Sequence, residues 1–287
     1  MSAAGLLLVD KPAGVTSHDV VNAARRALRE KRVGHAGTLD PFATGLLVVL
    51  VGQATRLVPH VSGDPKVYAA TVRFGAETDT EDLSGTPVRT AEAPTEASVR
   101  EAIPALTGAF DQVPPAYSAK RVQGRRAYDL ARAGDEVVLA PARVRVDAWE
   151  VLAWRDGAPT ECDVRVRCGP GTYIRSLARD LGRLAGSAAH LSALRRERSG
   201  RFDVHDAVTL DALRAGAVGL RPALDAVPEH PAQPLDTIDV RRVTGGNRVP
   251  AAVDGAWASL VDASTGALVA LAERQGAQWQ PRVVLHG

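Results

Sequence analysis

Apolar positions along this chain come in short runs whose period changes from element to element. Gly5 to Asp10 (GLLLVD) is an apolar run closed by Lys11-Pro12-Ala13-Gly14, the pattern of a buried strand followed by a turn. Ser17 then offers a helix cap, Asp19 places an acid in the first turn, and Val20, Val21, Ala24, Ala27 and Leu28 share one face. This predicts a helix from His18 to about Glu30. Leu46 to Val51 reads as a strand buried on both faces, and Val67 to Phe74 alternates as a second strand. Thr95 to about Leu106 is helical in pattern, with Pro104 disturbing its last turn and Gly108 closing it. Gln112 to Tyr117 is a turn-rich lead into a basic segment in which Gly124 to Ala133 reads as a short helix. Val144 to Trp154 and Glu161 to Cys168 read as strands, and Ile174 to Leu184 as an amphipathic helix after the Gly169-Pro170-Gly171 break.

The pattern changes near Pro222 to Pro234, where prolines accumulate and periodic positions thin out, as in a linker. Beyond it, Ala258 to Val261, Leu268 to Ala272 and Arg282 to Leu285 are short strand candidates separated by turn residues, which predicts a small all-β module. Strands interleaved with helices at irregular spacing, with no repeating βαβ unit, argue for an α+β class. The expected division is a catalytic domain over 1–230, carrying a basic insertion at about 117–140, followed by a β-domain over 231–287.

Composition narrows the class. The 287 residues are 45% hydrophobic and 24% charged, which suits a globular chain, and no apolar run reaches the roughly 18 residues that a membrane span needs. Met1 to Val9 lacks a basic lead and is followed at once by Asp10 and Lys11, so no signal peptide is expected. Cys162 and Cys168 lie six apart in an alternating stretch, along one strand, and read as free thiols. These features place the protein in the cytoplasm.

Net charge is only +2, yet the cations are clustered. Arg25, Arg26, Arg29, Lys31 and Arg32 face Glu30 alone, a second basic group runs from Lys120 to Arg145, and a third from Arg195 to Arg201. Separated basic clusters on a nearly neutral chain suit a local polyanion footprint, although solvated helix faces would look the same.

The densest chemical signal surrounds Asp40. Gly34, Ala36, Gly37 and Thr38 are small enough for a bulky partner to approach the backbone. Asp40 precedes Pro41, a good first helical residue, so Asp40 is expected at a helix N-cap whose amides favour the charged form. An ionised carboxylate is what a nucleophile requires, although an Asp-Pro taken alone is more often an ordinary cap.

GHAGTLDPFATGLL, from Gly34 to Leu47, resembles the signature of TruB-type tRNA pseudouridine synthases, in which the Asp is catalytic. Further similarities follow in the same order along the chain. They are LVDKPAGVTS (Leu8 to Ser17, with Lys11), KVYAATVRFGAETDTEDLSG (Lys66 to Gly85), PPAYSAKRVQGRRAYDLARAG (Pro114 to Gly134), GPGTYIRSLARDLG (Gly169 to Gly182) and AHLSALRRERSGRF (Ala189 to Phe202). The resemblance covers residues 5 to about 210 well and the remainder loosely.

It implies a pseudouridine synthase fold, with a mixed, mainly antiparallel sheet flanked by helices, and a small C-terminal PUA-like RNA-binding domain. It also implies isomerisation of the T-loop uridine of tRNA (position 55) to pseudouridine after the base is flipped out. Asp40 would attack the anomeric carbon or assist an elimination there, both being open, and Tyr173 and Arg175 would complete the catalytic set. Tyr173 would lie beside the sugar and Arg175 would pair with Asp40. Among binding residues, Tyr68 would stack on the base, Leu194 would wall it, and His35 would fill the space the uridine leaves. Lys11 and Arg121 would complete that set. Taken without the resemblance, Tyr68 reads as a core aromatic, Leu194 as helix core and His35 as incidental in a Gly-rich loop.

Two positions depart from the expected pattern, since Lys120 stands where an apolar residue is usual and Val122 where an aromatic is. The reaction is redox-neutral and needs no cofactor or metal. The partner implied is the T-arm of tRNA, with no membrane, no protein partner and a monomeric state. The main alternative is a noncatalytic RNA-binding or tRNA-folding protein, against which the joint presence of Asp40, Tyr68, Tyr173 and Arg175 speaks. A metal-dependent hydrolase built on Glu77, Asp79, Glu81 and Asp82 is disfavoured, because the run lacks the Gly and terminal Glu of a calcium loop and has no His cluster near it.

Overall fold

The computed structural model describes residues 4–118, 121–122, 125–126 and 139–285, the two short pairs by their backbone alone. The chain forms two compact units, one of Met1–Pro41, Gly45–Ser62 and Arg201–Gly287, the other of Phe42–Thr44 and Gly63–Gly200.

The first unit opens with β1 (Gly5–Lys11), α1 (Ser17–Leu28), β2 (Val33–Ala36) and β3 (Thr44–Val51). β3 pairs antiparallel with β1 on one side, Lys11 opposite Gly45, and with β2 on the other, Ala36 opposite Val48. Its two faces are buried in different cores. Leu46, Val48 and Leu50 pack with Leu6 and Leu8, while Leu47, Val49 and Val51 pack with Val20, Val21 and Ala24 of α1. A strand covered on both faces reads as an unbroken apolar run, which is why it is legible in the sequence.

Helix α1 starts one residue earlier than expected. Thr16 is the cap, accepting from the Asp19 amide while the Asp19 carboxylate accepts from Thr16 N, a capping box. The helix stops at Leu28 because Arg29 turns left-handed, with φ of 51°.

The second unit runs through β4 (Lys66–Phe74), a hairpin of β5 (Ala76–Thr78) and β6 (Pro87–Thr90), α2 (Glu96–Ala102) and β7 (Gly108–Gln112). Pro104 lies in a 3-10 turn (Ile103–Leu106) that ends the α2 region, the irregularity its ring imposes. Two-residue strands β8 (Arg121–Val122) and β9 (Arg125–Arg126) pair with one another. The helix expected over Gly124 to Ala133 is not formed at Arg125–Arg126, which are strand, and its other residues lie outside the described ones. β10 (Ala142–Arg155), β11 (Glu161–Cys168), α3 (Ile174–Leu184) and β12 (Ala189–Ser199) complete the unit. Its sheet has the order β12-β4-β11-β10-β7 with every pair antiparallel. α3 buries Ile174, Leu177, Ala178 and Leu181, each large aliphatic contributing roughly 1.5–3 kcal/mol. Gly182 lets β12 approach closely, since a Cβ there would meet Ala189 Cβ and N at 2.7 Å.

The chain then returns to the first unit through β13 (Phe202–Asp203), β14 (Val208–Thr209) and α4 (Leu210–Arg214). The stretch read as a linker is instead ordered into the core: a 3-10 turn at Ala223–Ala226 buries Ala226 and Val227 beside Leu6 and Leu57. β15 (Ala232–Leu235), α5 (Thr237–Thr244), β16 (Val249–Pro250), β17 (Trp257–Asp262), β18 (Leu268–Gln275) and β19 (Gln278–Val284) follow, the strands forming one sheet of order β15-β17-β18-β19-β16. The region is β-rich but not all-β as expected, because it includes α5. The eight residues of that helix bury only Val240 and Val243, too few for a period to show. Among the described residues no helix is long and apolar enough to cross a membrane.

Candidate active site

In the first unit, Asp40 lies in the loop between β2 and β3, half-buried. It is not a helix cap as its sequence suggested. The residues after it enter β3, because the apolar run from Leu46 is used as a strand, in which Gly45 takes a φ of 99° that glycine tolerates. The loop is fixed on both sides of Asp40. On one side, the Ser17 hydroxyl donates to Leu39 O at 3.0 Å and accepts from Leu39 N at 2.9 Å. On the other, Pro41 O accepts from Gly14 N at 2.8 Å and from Lys11 Nζ at 3.3 Å.

Lys11 is fully buried, 0% exposed, and its ammonium also donates to Val15 O at 2.8 Å and Pro12 O at 3.0 Å. Lys11, expected among the substrate-binding residues, is out of reach of solvent here and binds the 12–15 turn to the Asp40 loop. His35 is in strand β2, opposite Val49, rather than in a loop.

At the C-terminal end of α1, Arg25, Arg26, Arg29, Glu30 and Lys31 line an open cleft of about 520 Å³ in which four cations face one carboxylate. Arg25 and Arg26 occupy the last turn of the helix, where positive charge is favoured.

The second unit holds Tyr68, Leu194, Tyr173 and Arg175. Tyr68 on β4 is paired with Arg196 of β12 and Val166 of β11 in register, and Leu194 is paired with Ala70. Tyr68 and Leu194 therefore share one face of the sheet, as diagonal neighbours, and each is 7% exposed. Leu194 belongs to a strand, so its reading as helix core fails. Thr44 Oγ1 reaches Leu194 O at 3.5 Å.

Tyr173 stands at the N-cap of α3, half-buried, with no capping side chain of its own. Its backbone is held by Gln112, whose Oε1 accepts from Tyr173 N at 2.9 Å and whose Nε2 donates to Tyr173 O at 3.0 Å. Arg175 is buried and donates to Thr80 O at 2.8 Å and Tyr117 O at 2.9 Å. The side chain of Arg121 lies outside the described residues.

The acidic run that suggested a hydrolase is a structural ion network. Glu81 binds Arg179 and accepts from Ser176 Oγ at 2.8 Å. Glu77 binds Arg89 and Arg183, each at 2.6 Å. Burial raises the Glu77 carboxyl, but the two guanidinium groups outweigh it and hold it below the usual carboxylate range. Asp79 and Asp82 accept from neighbouring backbone amides at Thr86 and Ser84. Among the described residues no His, Cys, Asp and Glu group is placed to hold a metal ion. Cys162 and Cys168 are buried free thiols on β11, each pushed up to about 11 by burial, far from a reactive range.

Sequence reasoning misses Gln112 and the Ser17 anchor. Ser17 reads only as a helix cap, and a Gln before Val-Pro-Pro carries no signal of the helix it reaches.

Comparison with known proteins follows this arrangement along the chain. Residues 25–174 match the model of the TruB family pseudouridylate synthase N-terminal domain, and residues 175–236 match that of the tRNA pseudouridylate synthase B C-terminal domain. The chain is 46% identical over 290 residues, 99% of each chain, to tRNA pseudouridine synthase B of Thermobifida fusca. It is 43% identical to the protein of the same name from Gloeobacter violaceus, with 98% of each chain covered. Among solved structures, a chain of the crystal structure of a Cbf5-Nop10-Gar1 complex matches with a TM-score of 0.71 at 26% identity, over 98% of this chain and 85% of that one.

Proposed function

Because the chain belongs to the TruB family of pseudouridylate synthases, we propose that it converts uridine to pseudouridine in tRNA, at the T-loop uridine of position 55. The observation that carries the reading is a half-buried carboxylate, Asp40, on a loop fastened at both flanks by Ser17, Gly14 and Lys11. A carboxylate acting on a sugar carbon must be held to well under an ångström, and hydrogen bonds on either side, buried at Ser17–Leu39, supply that rigidity.

The chemistry is balanced without an external reagent. The bond from the anomeric carbon to N1 of uracil breaks with help from Asp40, the uracil turns, and a bond forms from C5 to the same carbon. The C5 proton is lost and N1 gains one. The step resembles carboxylate-assisted glycosyl transfer. Tyr68 and Leu194, on one sheet face, form the surface for the flipped base; Tyr173 and Arg175, at the start of α3, complete the catalytic set. The Arg25 to Lys31 cleft supports the reading of a polyanionic substrate, since clustered cations hold phosphate without reading sequence. The C-terminal β-rich region is read as a PUA-like RNA-binding module, and the enzyme as a cytoplasmic monomer.

The test is to incubate the protein and Asp40→Asn with an unmodified tRNA transcript and no added cofactor, then map pseudouridine at single-nucleotide resolution. Modification of the T-loop uridine by the unaltered protein alone, with tRNA binding kept in the variant, supports the assignment. Binding without any modification by the unaltered protein would replace it with a noncatalytic RNA-binding role.

A further inference from the structure

We propose that Gln112 is a positioning residue for Tyr173, fixing its backbone and with it the first turn of α3. The inference rests on the reading of Tyr173 as an active-site group. Tyr173 is the N-cap residue of α3 (Ile174–Leu184), and its own amide stands outside the helical ladder, so that it takes its partner from elsewhere. Gln112 meets that need with one planar amide that both donates and accepts, at 3.0 and 2.9 Å, in the manner of a neighbouring strand. Tyr173 is itself extended, with φ of −98° and ψ of 110°, so the pairing is strand-like in geometry. Tyr173 O also accepts from Leu177 N at 3.1 Å, and the backbone is thereby held on both its polar groups.

Gln112 can hold Tyr173 because it is held. It is 1% exposed, and it is the last residue of β7, in register with Ala142 of β10. The hold continues into the residues that follow. Arg179 donates to Val113 O at 3.0 Å and Arg175 to Tyr117 O at 2.9 Å, so residues 112–117 are fastened to the 173–179 turns at three points. Two of the three points involve groups named for catalysis, Tyr173 through its backbone and Arg175 through its guanidinium. A buried amide with both ends satisfied this way is costly to lose and rigid while present.

Gln112→Leu keeps the volume and removes both bonds; Gln112→Glu keeps the acceptor and removes the donor. Loss of this positioning is expected to lower kcat roughly 10- to 100-fold with KM and tRNA affinity little changed. A second readout needs no activity. The chain has four tyrosines, Tyr68, Tyr117, Tyr128 and Tyr173, so fluorotyrosine labelling gives a resolvable fluorine spectrum, with Tyr173 assigned by its disappearance in Tyr173→Phe. In RNA-free Gln112→Leu the Tyr173 resonance is expected to move, and in a Tyr173→Phe background Gln112→Leu is expected to cost little further kcat. Unchanged kcat with an unmoved resonance overturns the proposal, as does an equal kcat loss in both backgrounds. Full kcat in Tyr173→Phe alone removes the catalytic reading of Tyr173, while the resonance still decides whether Gln112 holds it. Should Gln112→Leu fail to fold, Gln112→Glu carries the same two measurements.

Discussion

Ser17→Ala isolates the anchor beside Asp40. The substitution removes one hydroxyl that both donates to Leu39 O and accepts from Leu39 N, in a place where Ser17 is 3% and Leu39 4% exposed. Water cannot replace it, so two backbone groups lose their partner in a dry site, at roughly 1–3 kcal/mol each before relaxation. After relaxation the expected loss is about 2–4 kcal/mol. The adjacent Thr16→Ala is the internal control. It deletes the hydroxyl cap of the same helix in an exposed position, and that costs about 1 kcal/mol. Urea unfolding gives both values, and single-turnover pseudouridine formation gives the effect on the Asp40 loop. The expected result is a larger loss for Ser17→Ala in stability and, at saturating tRNA and a temperature where both variants are folded, in rate. Equal losses for the two variants would refute the reasoning, since the cost would then belong to the helix start and not to the loop.

Three further outcomes follow from the geometry. The Glu77 carboxyl titrates below its usual value near 4.5 in the folded chain, so its contribution is complete above that pH and is lost as pH falls through the lower folded value. Thermal midpoints between pH 7 and 3 should therefore fall less steeply for Glu77→Gln than for the unaltered protein, and parallel curves would contradict the assignment. Gly182→Ala forces a Cβ to within 2.7 Å of Ala189 and should destabilise by about 1–3 kcal/mol, where an exposed helical Gly→Ala would stabilise by up to about 1 kcal/mol. A gain in melting temperature would show that the helix and strand pack loosely there. Replacing Arg26 and Lys31 of the α1 cleft by Gln should weaken tRNA binding and flatten its dependence on log salt by about 0.7–0.9 for each phosphate no longer neutralised, with kcat at saturation kept. An unchanged slope would exclude the cleft from the interface.

Elements with one clean period can be read from the sequence alone, and those without it cannot. β11 and α3 are predicted to the residue, because Cys162, Val164, Val166 and Cys168 alternate strictly and the apolar face of α3 repeats at helical spacing. β12 escapes assignment because its pairing with β4 shifts register twice, between Leu191 and Ala193 and between Arg196 and Arg198, and each shift resets the alternation. Arg196 adds to the disguise: a fully buried cation sits where a strand pattern calls for an apolar residue. At the candidate site, motifs name the residues but not what fixes them. The Ser17–Leu39 bonds join positions 22 apart and the Gln112–Tyr173 pair positions 61 apart, and no local pattern encodes such pairings.

The order in which the chain visits its two units has a consequence for biosynthesis. The second unit is drawn almost wholly from one continuous stretch, Gly63–Gly200, whereas the first is closed only by Arg201–Gly287. Leu6, Leu46 and Leu50 share their core with Leu268, Leu271, Val283 and Leu285. Emerging from the ribosome at roughly 5–20 residues per second, strands β1 and β3 therefore wait some ten seconds or more for the partners that cover them. During that interval the loop bearing Asp40 rests on a half-built scaffold, with an apolar face open to chaperones or to other nascent chains. Nonsense or frameshift lesions late in the reading frame should accordingly yield insoluble product rather than a shortened enzyme.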